Sequence, residues 1–291
     1  MTFIWGATFV LVKAALHFVS PLALNAARMG LAAILLAVIY RKQLLRITRP
    51  ALRAGLAVGV FLYVGYALQT TGLNLTTPSK SAFLTGISTV LVPLLLIIVW
   101  RAHIQPWRVA GIVAAFAGLF LMTVPAGREA IADFAKVNTG DLLTIACALA
   151  FAFHIILVGR ATQRFPFQQI AVLQIAVAAV LMTATAPLLE RPHIELNSTV
   201  VWTLLITATL CTALAFTVQA WAQQFTPATH TALIFTLEPV FAWLTSFVYL
   251  KERLGLRAGA GALMILAGTL ISELLGQVAR PEEAMAEEAS N

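Results

Sequence analysis

The sequence predicts an all-α membrane protein with ten transmembrane helices in two inverted five-helix repeats. Three observations carry that prediction. Of 291 residues, 60% are hydrophobic and only 11% are charged, whereas a soluble domain carries about a quarter charged residues; the mean hydropathy is +0.90. Apolar runs of about 17–22 residues recur along the chain, each able to cross a hydrocarbon core of ~30 Å as a helix. Finally, the chain matches itself at an offset of 150: YALQTTGLNLTTPSKSA (66–82) lies over FTVQAWAQQFTPATHTA (216–232). Gln69 then meets Gln219, Thr76 meets Thr226 and Ala82 meets Ala232; without a gap, Gly111 meets Gly261 and Ala117-Gly118 meets Ala267-Gly268. Apolar sequences match easily by chance, but coincident polar positions at one constant offset point to duplication.

Turn signals and charges place the spans at 3–18, 21–40, 54–72, 79–99, 107–124, 141–159, 167–187, 200–221, 229–249 and 256–275. The first is short: ~16 residues rise only about 24 Å, which is met by a bilayer thinned locally or by a native start further upstream. The opening MTFIWGATFVLVK has neither a basic leading region nor a small-residue cleavage site, so no removable signal peptide is expected. The longest polar interruption begins at residue 125, and the chain divides into a first repeat at 3–124, an outer linker at 125–140 and a second repeat at 141–275. The tail at 276–291 is acidic, lacks large apolar residues and is expected to be disordered.

An odd number of helices per repeat sends the second copy into the membrane upside down relative to the first. Inverted repeats around a midplane site are a recurring transporter design. The charges orient the first half: Arg41, Lys42, Arg46, Arg49 and Arg53 fill one short loop, the mark of a cytoplasmic loop. The net charge of +7 therefore speaks for membrane topology, and nucleic acid is not an expected partner. The second half hardly discriminates, since Lys251, Arg253 and Arg257 crowd one outer loop. Cys147 and Cys211 both fall in apolar runs and read as small core residues.

Enzyme signatures are missing. The sequence holds no HExxH, GxSxG or Walker A motif and no Cys/His cluster at metal-ligand spacing. Hydrolysis of ATP is thereby excluded as a driving force, and no cofactor or metal is expected. An ion gradient, counter-exchange or the solute's own gradient remains.

WGATF at 5–9, LEP at 237–239, LKER at 250–253 and AGTLI at 267–271 resemble the EamA-type transporters of the drug/metabolite transporter superfamily. The resemblance covers nearly the whole chain as two tandem copies. It implies ten helices, both termini cytoplasmic, and alternating access around a cavity lined mainly by helices 1, 3, 4, 6, 8 and 9. Export is the direction it suggests. One departure stands out: the first repeat has Ser88-Thr89 where the second has Glu238-Pro239.

Glu238 is expected near the centre of the ninth span, where a carboxylate costs a few kcal/mol on insertion scales unless neutral or paired. Pro239 has no N–H, so it is a helix break that frees the Phe235 carbonyl. The pair reads either as a helix clamp or as a proton-coupling or substrate-contacting carboxyl. Lys13 sits late in the first span, close enough to the outer surface to snorkel; its functional reading is a cation for a substrate carboxylate. Arg28 lies in the second span, peripheral in the family, and reads as structural. Gln69 and Gln219 hold equivalent positions and either cross-link helices or face the cavity. His154 reads as a packing residue or a proton relay. Tyr63 and Tyr66 share one helix face, and Trp5 belongs to the WGATF motif; these three complete the candidate pathway. Lys80 and His230, aligned by the repeat, are gate candidates at opposite mouths.

The function predicted is a secondary carrier for small metabolites such as amino acids, proton-coupled or exchange-driven, in a plasma membrane of bacterial inner-membrane type. Its expected partners are the lipid bilayer, a small-molecule substrate and protons. A membrane-embedded enzyme acting on lipid-like substrates and a non-transporting membrane subunit are the alternatives.

Overall fold

The computed structural model describes residues 1–124, 127–241, 244 and 255–278. The later part of the expected ninth span, the LKER stretch at 250–253 and nearly all of the expected tail lie outside them. Among the described residues the fold is all-helical, with no strand and one isolated antiparallel bridge, Val19 to Ile194.

Seven helices among the described residues are long and apolar enough to cross a membrane: Pro21–Ile39, Arg49–Leu75, Lys80–Trp100, Pro106–Thr123, Thr139–Thr162, Phe167–Leu189 and Ser198–Ala222. In chain order the principal helices are α1 (Thr2–Ala15), α2 (Pro21–Ile39), α3 (Arg49–Leu75), α4 (Pro78–Gly86), α5 (Ser88–Trp100), α6 (Pro106–Thr123), α7 (Thr139–Thr162), α8 (Phe167–Leu189), α9 (Ser198–Ile206), α10 (Ala215–Ala222), α11 (Ala228–Phe235) and α12 (Leu256–Val278).

Their starts follow local chemistry. Proline opens α2, α4 and α6, where its missing N–H is one the helix could not use anyway. The side chains of Thr48, Thr77 and Asn197 accept from the backbone N–H groups of Ala51, Lys80 and Val200. Asn138 and Asp141 form a reciprocal capping box at the start of α7. The carboxylate of Glu190 caps α2 from a distance, accepting from Ser20 Oγ at 2.7 Å, Ala23 N at 2.9 Å and Leu22 N at 3.1 Å. A negative group there also meets the positive end of the helix dipole.

Two helices are interrupted at matching positions. Ile87 separates α4 from α5, and a turn at Thr236 and Leu237 ends α11, both with backbone bonds tightened to i−3. Ile87 and Leu237 are 150 residues apart, the same offset that relates the two halves of the sequence. Between α9 and α10, residues Thr207–Leu214 wind as a π-helix, a conformation found often at functional positions.

The core is small-residue and aliphatic. Met29, Leu62, Ile175 and Met182 sit fully buried where α2, α3 and α8 meet. The outer flanks carry Ile34, Ile98, Val113, Val180 and Leu263, each exposed by more than 60%. That apolar exterior suits lipid, and helices whose backbone bonds close internally are what a bilayer core permits.

Helices α6 and α12 approach backbone to backbone. A Cβ added at Gly111 would lie 2.5 Å from the Gly268 carbonyl oxygen, and one at Gly261 would lie 2.5 Å from that of Gly118. The contact is reciprocal: the 150-residue shift takes Gly111 to Gly261 and Gly118 to Gly268, so each pair exchanges into the other. Small residues give membrane helices their closest approach. Gly118→Ala is therefore expected to destabilise by about 1–3 kcal/mol, the usual cost of an overpacked core, read as a lowered midpoint of thermal unfolding in detergent. An unchanged midpoint would mean that α6 and α12 separate without loss.

Candidate functional site

A cavity at the centre of the described helices draws its walls from both halves of the chain. It leaves about 110 Å³ for the centre of a water-sized molecule. Its apolar wall is aromatic: Trp5 from α1, Tyr66 from α3, Phe151 from α7, Phe216 from α10 and Phe235 from α11. The Trp5 ring stands edge-to-face to Phe235 at 5.1 Å and tilted against Phe216 at 5.4 Å. Its indole N–H donates to the Cys211 carbonyl at 2.8 Å. That carbonyl belongs to the π segment, so the irregular winding of Thr207–Leu214 holds one wall of the cavity by a direct bond to α1.

The two helix breaks open onto the same space. Gly86, Ser88 and Thr89 line it from the α4–α5 junction, and Thr236, Glu238 and Pro239 line it from the end of α11. Thr89 Oγ1 donates to the Ala232 carbonyl at 3.3 Å, joining one broken helix to the other. The Glu238 carboxylate accepts no hydrogen bond and makes no ion pair among the described residues. Pro239 cannot supply the N–H that would close the helix onto Phe235.

The amides and the histidine are tied in place by neutral partners. Gln69 Nε2 donates to Thr85 Oγ1 at 3.3 Å. Gln219 Nε2 donates to Gln223 Oε1 at 2.9 Å, and Gln223 in turn bonds the Ile155 carbonyl at 2.9 Å; the Gln219 carbonyl oxygen is buried without a partner among the described residues. His154 Nε2 lies 2.7 Å from Gln174 Oε1, with its ring edge-to-face to Phe216. Gln69 and His154 therefore both cross-link helices and face the cavity, while Gln219 faces it and reaches α7 only through Gln223.

Of the candidate pathway residues, Trp5, Tyr66, Gln69, His154, Gln219 and Glu238 line this one cavity together with Pro239. Lys13, Tyr63, Lys80 and His230 are not in its lining. Tyr63 donates its hydroxyl to Thr185 at 3.0 Å. Lys13 donates to three carbonyls at the end of α3, those of Leu73 at 2.7 Å and of Asn74 and Thr76 at 3.0 Å, where a cation meets the negative end of a helix.

Lys80 is locked rather than open: its ammonium is 2.6 Å from the Asp141 carboxylate and donates to the Lys136 carbonyl at 2.7 Å. Asp141 also accepts from Thr76 Oγ1 at 2.8 Å and from Asn138 N at 2.9 Å. Lys13, Thr76, Asp141 and Lys80 thus form one polar chain tying α1, α3, α4 and α7 together. His230 is buried in the first turn of α11.

Sequence reasoning set Arg28 aside, yet its buried side chain lines the cavity. The guanidinium lies over the Tyr66 ring, 4.6 Å from its centroid, and donates to Thr212 Oγ1 through Nε at 3.3 Å and Nη2 at 3.1 Å. The signal was present, a charged residue inside a predicted span; the reach of a long stem from a peripheral helix was what spacing could not show. Thr8, Thr85 and Thr89 line the cavity as well, and threonines in apolar runs carry no signal of their own.

Comparison with known proteins places this geometry in a family. The EamA-like transporter family matches residues 1–124 and 138–274. An uncharacterized transporter of Archaeoglobus fulgidus is 30% identical over 271 residues, covering 93% of this chain and 82% of the relative. The uncharacterized transporter YyaM of Bacillus subtilis is 24% identical, covering 91% and 88%. A solved crystal structure superimposes with a TM-score of 0.75 at 16% identity, covering 95% of each chain, a likeness of fold. A multi-pass, all-helical chain with this cavity and these matches belongs to the EamA-like transporter family, within the drug/metabolite transporter superfamily.

Proposed function

We propose that the chain is a secondary carrier that exports a small metabolite, such as an amino acid, by alternating access through the central cavity. In this reading ten helices cross a plasma membrane as two inverted five-helix repeats, with both termini in the cytoplasm. The observation that carries it is the cavity itself: aromatic walls, a basic and an acidic side chain that form no ion pair among the described residues, and two broken helices, drawn from both halves. Broken helices at a central site are a transporter device, since their free backbone groups can bind solute and their junctions can bend.

The repeat is supported by two further facts. The breaks at Ile87 and Leu237 fall at the sequence offset of 150, and the glycine contact of α6 with α12 is reciprocal under the same offset. A two-fold relation between halves produces such self-complementary contacts.

Glu238 serves as the coupling group, taking up a proton or contacting the solute. A helix clamp needs an acceptor or donor across from it, and the Glu238 carboxyl has none among the described residues. The Lys80–Asp141 pair acts as a latch at one mouth of the pathway, with His230 contributing at the other.

The test is efflux from liposomes. Purified protein is reconstituted with a mixed pool of amino acids and other metabolites, and mass spectrometry tracks what leaves. A few compounds are expected to leave selectively and saturably, faster than from protein-free liposomes. Indiscriminate or background-level loss of every compound would count against a carrier.

A further inference from the structure

Arg28 is 4% exposed, and no carboxylate stands within ion-pair distance of it among the described residues. A guanidinium offers five N–H donors in a planar fork. Two of them, on Nε and Nη2, go to the single neutral oxygen of Thr212. The rest meet the Tyr66 side chain and the cavity. A cation held away from water without a counter-charge is costly, and cation–π contact with one ring offsets that only in part.

An acidic side chain lines the same cavity without pairing to it. Glu238 lines the wall formed by the broken end of α11, while Arg28 reaches in from α2. Thr212 and the Tyr66 ring hold the guanidinium in place, and along that edge its Nε and Nη2 hydrogens are already engaged. The end of the fork, Nη1 with Nη2, is the edge suited to a bidentate planar oxyanion.

We infer that Arg28 is the anion-recognising residue of the cavity, binding the carboxylate of the transported solute and setting the preference for acids over their neutral analogues. The inference rests on the carrier reading for the identity of the ligand as cargo. Aromatic side chains from five helices then face the solute's apolar part, and Glu238 stands ready for a cationic group. A solute carrying a carboxylate, an apolar body and an amine matches all three. The threonine partner matters too: Thr212 lies in the π segment whose Cys211 carbonyl anchors Trp5, so the backbone that positions the cation also positions an aromatic wall.

Binding, measured without flux, separates this inference from the carrier reading. The purified protein is titrated in detergent with amino acids and other small carboxylic acids, and with the primary amide of each, using the thermal unfolding midpoint as readout. The native protein is expected to bind at least one acid about tenfold or more tighter than its amide. In Arg28→Gln that preference falls to within about twofold, with the amide bound as before. Arg28→Lys keeps the charge without the fork and is expected to show an intermediate preference; it serves as the second variant if Arg28→Gln fails to fold. A native protein that binds no acid in preference to its amide would overturn the inference, and so would Arg28→Gln with the native preference. Failed efflux from liposomes alongside an intact acid preference would strike the carrier reading alone.

Discussion

Replacing Asp141 by alanine is expected to destabilise the protein by about 3–5 kcal/mol, the range for removing one partner of a buried ion pair. The Asp141 side chain is 2% exposed and that of Lys80 11%. Without the carboxylate, the ammonium keeps, among the described residues, the Lys136 carbonyl and the face of Phe134, 5.4 Å away. The Thr76 hydroxyl and the Asn138 N–H lose their acceptor in the same step, and with the latter goes the capping box of α7. Much of the expected loss is the penalty of a charge left unpaired, so removing both charges is predicted to cost less than removing one. Lys80→Met with Asp141→Leu should recover about half or more of the stability lost in Asp141→Ala. Chemical unfolding in detergent for Asp141→Leu, Lys80→Met and the double variant gives the coupling directly. A double variant as unstable as the sum of its singles would mean that the pair is not the source of the stability.

Glu238→Gln is expected to abolish gradient-driven efflux, by about tenfold or more, in a protein that folds as well as the native one. Glutamine is nearly isosteric and keeps hydrogen-bonding capacity, so a clamp survives the change and a coupling group does not. The measurement is efflux with and without a pH gradient, beside the unfolding midpoint of the same preparation. Unchanged gradient dependence would reduce Glu238 to a helix clamp.

Hydropathy made the spans legible, because crossing a hydrocarbon core demands long apolar runs whatever else the chain does. Turn signals and charges placed most helix starts within a few positions, as at Pro21, Pro78 and Pro106. The break before Glu238 was legible through Pro239. Its counterpart at Ile87 was not, since Ser88-Thr89 offers no missing donor and the interruption appears only in the packed chain. The π segment was equally hidden: TATLCTAL reads as ordinary helix, and its winding is recognised only by its bonds and by what it holds, Trp5 and Arg28.

Side-chain reach explains the remaining differences between expectation and structure. Lys13 and Arg28 look alike in sequence, each a cation inside an apolar run. Lys13 turns to the free carbonyls at the end of α3, and Arg28 crosses from a peripheral helix to the cavity. Which neighbour a long side chain finds depends on tertiary contacts that no spacing rule encodes. Tyr63 and Tyr66 share a helix face, yet one bonds Thr185 of α8 and the other lines the cavity, because a helix three residues further on has rotated by nearly a full turn but advanced along its axis.

Thiol accessibility tests alternating access through the cavity most directly. Ser88 lines the cavity at the α4–α5 break. In a background with Cys147 and Cys211 replaced by alanine, Ser88→Cys is treated with a membrane-impermeant maleimide in right-side-out and inside-out vesicles. A cavity that opens alternately to each side predicts modification from both sides of the membrane. Modification from one side only, or from neither, would contradict it.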